Sequence, residues 1–454
     1  MRVSTSALTQ ISLEAMLKQQ LDLSKTQLQV TNGKRLTAPS DDPYGSARSL
    51  DLQESISLND QFQVNSGYAK NRLSLEEGTL EGVGTATQRL RELMVMANND
   101  SQNIETRRFI KEEVDQLLDQ LLALANSVDS NGEYIFAGYQ GKTKPFGANS
   151  LGGFDYYGDD GTRFVKMSDS TSIAMGDAGV DAFLEIKNGN GTFQTTEQVT
   201  NIGTGIIDPG SEIGPYIPGT YEVKFIPPST GNLYDPIEYY VLDSRLPVPV
   251  IIEPVAYAGV DEATYIADVE ARVPAAAGVP YEKGAIIQGL ENFGMKVSIS
   301  GEPSVQTTPA MTTPLPPPAA YTLDQNDGFV IDPSNNQSLF ETVKNFSDTL
   351  VSTQNTAEDL AHFHNAMNRT LVDIDQAVGR VLEIRARIGA RLNTVEKQLN
   401  INESFSLQMN STLSSIQDLD YSEAITRLNL QLTGLQAAQN AYTKIQGLSL
   451  FNYL

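Results

Sequence analysis

The side chains able to do chemistry are few and badly spaced for it. The 454 residues contain two His and no Cys. His362 and His364 are two positions apart, and no further ligands stand at a metal-binding spacing. A structural role therefore suits both. Asp155, Asp159, Asp160 and Gly161 have a faint likeness to a calcium loop. Their spacing is not that of an EF-hand and the closing Glu is missing, so an acidic surface turn is expected. No phosphate-binding Gly-x-x-x-x-Gly-Lys-Ser/Thr, no His-Glu-x-x-His and no Gly-x-Ser-x-Gly occurs. Arg385, Arg387 and Arg391 form a basic patch, read as a solvated face or salt bridges to nearby acids, ahead of a subunit contact. No catalytic, cofactor or metal site is expected, and the chain reads as a non-enzyme. Paired carboxylates in the middle third are the one catalytic route left open.

The elements that would hold any site are more telling. From Leu360 to Leu419 the chain alternates steps of three and four: Leu360, His364, Met367, Leu371, Ile374, Val378, Val381, Arg385, Ile388, Leu392, Val395, Leu399, Asn402, Ser406, Met409, Leu413 and Ile416. This is a helix with one packing seam, about 85 Å long at 1.5 Å per residue. A helix of that length needs partners of similar length. An amphipathic helix is expected over 6–31, closed by Thr31-Asn32-Gly33. A Pro- and Asp-containing loop follows, in which Ser40, Asp41 or Asp42 can cap the next helix. That helix spans 44–99, with a seam of Phe62, Ser66, Ala69, Leu73, Glu76, Leu80, Val83, Thr87, Leu90, Met94 and Ala97. A third, 104–129, carries Ile110, Val114, Leu117, Leu121, Leu124 and Val128. Glu133–Gly138 is strand-like.

Between about 146 and 337 helical periodicity vanishes. Short β-type runs appear at Phe183–Lys187, Tyr221–Ile226, Ile237–Leu242 and Met295–Ser300. Asn188-Gly189-Asn190-Gly191 is a hairpin-turn candidate, and Pro309–Pro318 reads as extended or a linker. Helical patterning resumes at Leu339, Val343, Phe346 and Leu350. Asp420 and Glu423 form a capping arrangement before a last helix over 422–446. The fold class is α+β: long antiparallel helical arms from both termini, as a bundle or coiled coil, with an inserted β-rich domain. The expected domains are 1–40 plus 418–454 (terminal helices, disordered in the lone subunit), 41–145 plus 338–417 (helical bundle), and 146–337 (β insert).

A formal net charge of −24 argues against nucleic acid and against an anionic membrane surface. No apolar run is long enough to span a bilayer. Met1-Arg2-Val3-Ser4-Thr5 opens without a secretory apolar stretch, so the expectation is a cytosolic protein or export without a cleaved signal. The terminal helices leave apolar surface uncovered. Leu8, Ile11, Leu13, Leu17, Leu21 and Leu28 at one end, with Ile425, Leu428, Leu432, Leu435, Tyr442, Ile445, Leu448, Leu450 and Phe451 at the other, are the expected assembly interface. A head-to-tail contact that does not close produces a helical assembly. The alternative is that the same stripes are ordinary bundle core.

Several motifs in order carry a resemblance. They are Asn32-Gly33-Lys34-Arg35-Leu36 with Ser40-Asp41-Asp42-Pro43, Asn131–Gly138, Arg387-Ile388-Gly389-Ala390-Arg391-Leu392-Asn393, and Asp418–Ala424. Over residues 1–145 and 338–454 the chain resembles the bacterial flagellin family. The resemblance implies an extracellular structural part of the flagellum, exported through the flagellar type III apparatus. It implies terminal helices in an inner tube, an outward β insert and binding of a cytosolic export chaperone before secretion. Met1–Thr5 and Tyr134–Gly138 favour a junction adaptor between hook and filament. Such an adaptor would self-associate in a ring, touching a hook-associated protein on the hook side and flagellin on the filament side. A filament subunit is the alternative, and a secreted enzyme with a catalytic insert is the remote one.

Overall fold

The computed structural model describes residues 5–99, 102–150, 152–228, 235–243, 250–251, 278–305, 326–352 and 356–447. Six helices are described: α1 (Thr5–Asn32), α2 (Pro43–Ala97), α3 (Ile104–Ala125), α4 (Leu339–Ser352), α5 (Ala357–Gln417) and α6 (Tyr421–Gly447). With 61 residues, α5 is about 92 Å long. The chain divides into two compact units. One comprises Met1–Ala69, Val165–Ile173 and Thr394–Leu454; the other comprises Lys70–Phe164 and Ala174–Asn393.

In the first unit α1 packs along α6. The buried row on α1 is Leu23, Thr26 and Gln29, extended by half-buried Met16 and Gln19. Gln19 lies over Gly434, where an added Cβ would meet its Nε2 at 2.3 Å. The helix ends where Gly33 takes φ +67°, the left-handed C-terminal position that glycine fills without strain. The following loop is tied down by backbone bonds: Arg35 N donates to Gln417 O at 2.7 Å, and Leu419 N to Gly33 O at 3.0 Å. Arg35 Nη2 adds a bond to Ile416 O at 2.8 Å. Asp42 caps α2 by accepting from Gly45 N at 2.9 Å, with Pro43 as the first helical residue. Asp41 has a different task. It pairs with Lys25 at 2.6 Å and accepts from Thr37 Oγ1 and Ala38 N. The Lys25 ammonium, chiefly, and these donors hold its carboxyl down at about 2. Asp420 caps α6, accepting from Ser422 N and Glu423 N at 2.9 and 3.2 Å. Within this unit Asn59 Nδ2 on α2 donates to Asn402 O on α5, and Asn402 Nδ2 in turn donates to Met167 O.

The second unit holds the main cores. Here α2 and α5 run antiparallel, since Glu77 meets Arg385 and Arg91 meets Asp375, so that rising numbers on one helix match falling numbers on the other. The α2 seam from Leu73 to Ala97 is fully buried, and Met367, Ile374, Val381 and Ile388 of α5 face it in kind. Helices α3 and α4 pack together over Val114, Leu118, Leu121, Val343, Phe346 and Leu350.

The insert contains a six-stranded antiparallel sheet. Its strands are β1 (Phe193–Glu197), β2 (Tyr221–Ile226), β3 (Glu238–Asp243), β4 (Val250–Ile251), β5 (Val279–Pro280) and β6 (Gly328–Pro333). The order is β4-β3-β2-β6-β1, with β5 also on β3. Tyr239 stands opposite Phe225, and Phe329 opposite Val223. Alternation along each strand puts Tyr221, Val223, Phe225, Val241, Phe329 and Ile331 into one core with Leu290, Phe293, Met295, Val297 and Ile299.

Five local expectations need correction. First, α3 stops at Ala125. Its buried row runs through Leu118, while Leu117 and Leu124 are half-buried and Val128 is exposed, because Val128 already pairs with Tyr134 in an isolated bridge. Second, Glu133–Gly138 is that bridge followed by a turn, not a strand. Third, the run at Phe183–Lys187 is a π-helical turn, Val180–Leu184, followed by a two-residue strand. Phe183 is needed for packing against Phe136, Phe146 and Phe340. Fourth, Asn188–Gly191 does turn, but the strands on its two sides pair elsewhere, with Asn336–Gln337 and with β6. Fifth, the Met295–Ser300 run splits into two pieces that pair with Ser211–Glu212 and Ile206–Ile207. Pro309–Pro318 lies outside the described residues.

Two expectations are measurable. Replacing Leu118 with Ala lowers the unfolding free energy by roughly 2–5 kcal/mol, whereas Val128→Ala stays within about 0.5 kcal/mol, read by urea denaturation. The depressed Asp41 carboxyl contributes stability above the ordinary carboxylate range, lost as pH falls towards about 2. Asp41→Asn therefore melts below the parent at pH 7, and the gap closes as pH drops from about 4 to about 2.

Candidate assembly surface

The two units differ in how much apolar surface their helices bury, although the second also leaves some side chains open, Phe109 and Val199 among them. In the first, the buried hydrophobic residues are Leu23, Leu52, Ala69, Met167, Ile173, Val395, Leu419 and Ala424. The same unit exposes Ile11, Leu13, Leu17, Leu21 and Leu28 on α1, with Leu21 71% open. Helix geometry explains this. Ser12, Met16, Gln19, Leu23, Thr26 and Val30 follow three-four steps and turn towards α6. Leu13, Leu17, Leu21 and Leu28 fall on the back of the same helix. The inner row is half polar (Ser12, Gln19, Thr26) and half apolar (Met16, Leu23, Val30); the outer row is leucine.

On α6 the expected residues separate. Leu428, Leu435 and Tyr442 lie on the row Ala424, Leu428, Gln431, Leu435, Ala438, Tyr442 and are half-buried, in the row facing α1. Ile425 and Leu432 are exposed. Leu448, Leu450 and Phe451 lie outside the described residues, as do the side chains of Leu8 and Ile445.

Sequence reasoning overlooked part of the exposed surface. Leu50, Val64 and Tyr68 on α2, Ile401 and Phe405 on α5, and Leu430 on α6 are all open. On α2 the signal was present: those three residues share a face roughly opposite Leu52, Asn59 and Ser66, which are buried.

The residues weighed for chemistry are absorbed into structure. His362 Nδ1 pairs with Glu197 at 2.9 Å, and its Nε2 lies 3.0 Å from Asn201 O. Burial works against its charge, but Glu197 and the Asn201 carbonyl outweigh burial and raise its pKa. His364 Nδ1 lies 2.7 Å from Asn98 Oδ1. Asp159 Oδ1 accepts from Tyr139 N and Gly161 N, as in an acidic turn. Arg385 pairs with Glu77 at 2.8 Å, and Arg391 with Asp177 at 2.9 Å. Among the described residues no group of three or more His, Cys, Asp or Glu is placed to hold a metal ion. No described helix is long and apolar enough to cross a membrane.

Comparison with known proteins places this geometry. The family model of the bacterial flagellin N-terminal helical region matches residues 3–141, and that of the C-terminal helical region matches 371–454. Flagellar hook-associated protein 3 of Salmonella typhimurium is 32% identical over 186 residues, covering 41% of this chain and 58% of that protein. The alignment thus spans little more than half of that relative's length. The crystal structure of flagellar hook associated protein-3 from Legionella pneumophila superposes with a TM-score of 0.67 at 28% identity, covering 80% of this chain and 98% of that one. FlgL from Xanthomonas campestris gives 0.63 at 26% identity, covering 80% and 99%. With a flagellin helical region matched towards each end of its sequence, the chain is similar to the bacterial flagellin family over residues 3–141 and 371–454.

Proposed function

We propose that the protein is a structural component of the bacterial flagellum, the junction adaptor that joins hook to filament and so permits filament growth. One observation carries this reading: the first unit turns its leucines outward on α1, in a chain whose second unit buries its apolar seams. Its likeness to hook-associated and junction proteins supplies the setting. In this reading copies of the chain associate in a ring, with a hook-associated protein on one side and flagellin on the other. Residues 1–40 and 418–454 line the inner tube, the bundle of 41–145 and 338–417 surrounds it, and the 146–337 insert faces outward. The subunit leaves the cell unfolded through the flagellar type III apparatus, after a cytosolic chaperone has held its C-terminal helices. It acts without a cofactor and catalyses nothing.

The arithmetic of burial favours assembly. Covering a Leu-sized side chain is worth roughly 1.5–3 kcal/mol, so five exposed aliphatic residues on α1 offer more than a single ordered contact would cost. The filament-subunit reading keeps one point in its favour, since both matched helical regions are those of flagellin. Purified protein growing into long filaments unaided would select it.

Deleting the gene and imaging the cells tests the adaptor. Hooks without filaments, with flagellin released to the medium, are the expected result; normal filaments would sink the proposal. Leu17→Gln with Leu21→Gln is expected to leave the lone subunit's stability within about 0.5 kcal/mol per site. The double variant should nevertheless fail to restore filaments to the deletion strain.

A further inference from the structure

Glu76 interrupts the apolar seam of α2 and is wholly buried within the second unit. Its Oε1 accepts one hydrogen bond, from Asp177 N at 2.8 Å. Its Oε2 is buried and makes no hydrogen bond. The charged groups around it are already committed to one another. On α2, Arg72 donates to Asp129 at 3.0 Å and lies 3.9 Å from Glu133, both in the turn after α3. Glu133 also holds Arg163 at 2.6 Å. Glu77 is taken by Arg385 of α5 at 2.8 Å. Asp177, on the 174–178 segment, receives both nitrogens of Arg391 at 2.9 and 3.0 Å, with Arg387 at 3.7 Å. Each arginine facing the cluster is thus turned to another carboxylate, Arg387 and Arg391 sharing Asp177, and none of these pairs includes Glu76. An ionised carboxylate with one amide donor and a second carboxylate beside it is costly in a dry interior. Protonated, it has no charge to desolvate, and the cost falls to that of one unpaired neutral group.

We propose that Glu76 is a proton-operated latch: it holds the 174–178 segment against α2 while it carries a proton, and loosens that segment when mildly alkaline solution removes it. Burial, first, and the Asp177 charge, second, raise its pKa to about 8, against the pull of the Asp177 amide, Arg391 and Arg72. The direction of the effect follows. An acid whose folded pKa is raised binds its proton more tightly in the native state than in the unfolded chain. The stability it contributes is complete below the ordinary glutamate range and is lost as pH rises through about 8. The inference does not depend on the flagellar reading, because it concerns one bundle and can be measured on the isolated full-length chain.

The test follows thermal unfolding of the full chain and of Glu76→Gln from pH 5 to pH 9. Glutamine keeps an oxygen for the Asp177 amide and cannot ionise. The parent should lose melting temperature relative to the variant as pH rises, with the difference levelling off once Glu76 has ionised. Amide exchange at 176–178, corrected for its intrinsic pH dependence, should accelerate over the same interval in the parent only. If Glu76→Gln folds poorly, the infrared band of a neutral carboxylic acid in the parent decides the matter. That band should persist at pH 7 and vanish above pH 9. Its absence at pH 7, or identical pH profiles for parent and variant, would overturn the proposal.

Discussion

A helix some 90 Å long cannot cover its own seam, and everything else in this molecule depends on how α5 solves that problem. It does so by running antiparallel to α2, whose seam has the same three-four rhythm. Within the second unit the match is apolar against apolar, fenced at its edges by Arg385–Glu77 and Arg91–Asp375. Exposed pairs of this kind contribute little energy, and their value lies in fixing register. The energy comes from the buried seam, from Leu73 to Ala97 on one side and Met367 to Ile388 on the other.

The first unit is built on different terms. There the contact between α1 and α6 runs over Gln19, Thr26, Gln29, Gln431 and Gly434. Such a seam allows close approach and buries fewer large apolar side chains than the α2–α5 seam does. Of the residues that could have formed a greasy interface on α1, most lie on the back of the helix. A monomer designed for maximal stability would turn that helix by about a third of a revolution. The loop between α1 and α2 is tied to the α5–α6 junction through Arg35, Gly33 and Leu419.

The insert carries its own core on a helical frame. Its sheet has a core of its own, centred on Tyr221, Phe225, Phe293 and Phe329, so it can fold around its own side chains. It is anchored to the bundle by a handful of polar contacts, such as Asp373 with Gly189 N at 2.7 Å and Asn365 with Ile207 N at 2.9 Å. Polar anchors are directional, and they locate the sheet without demanding that its core match the bundle's.

Periodicity made the helices legible from sequence because it is a local property. A seam repeating every three or four residues admits one regular backbone, so α1, α2, α5 and α6 were readable to within two residues at nearly every end, and the α2 and α5 seams proved buried or half-buried throughout. The cap at Asp420 was legible for the same reason, whereas the sequence left Ser40, Asp41 and Asp42 open as caps of α2 and the fold chose Asp42. Strand partners were not legible, because pairing joins residues distant in the chain. The Met295–Ser300 run has a clean two-residue period, yet only the tertiary fold splits it between two partners. Phe183 reads as a strand residue until the aromatic cluster with Phe136 and Phe340 bends it into a π-helical turn. Glu76 looks in the sequence like a polar blemish on a good seam. Only the fold, by turning the nearby arginines to other acids, leaves it buried with Oε2 unpartnered.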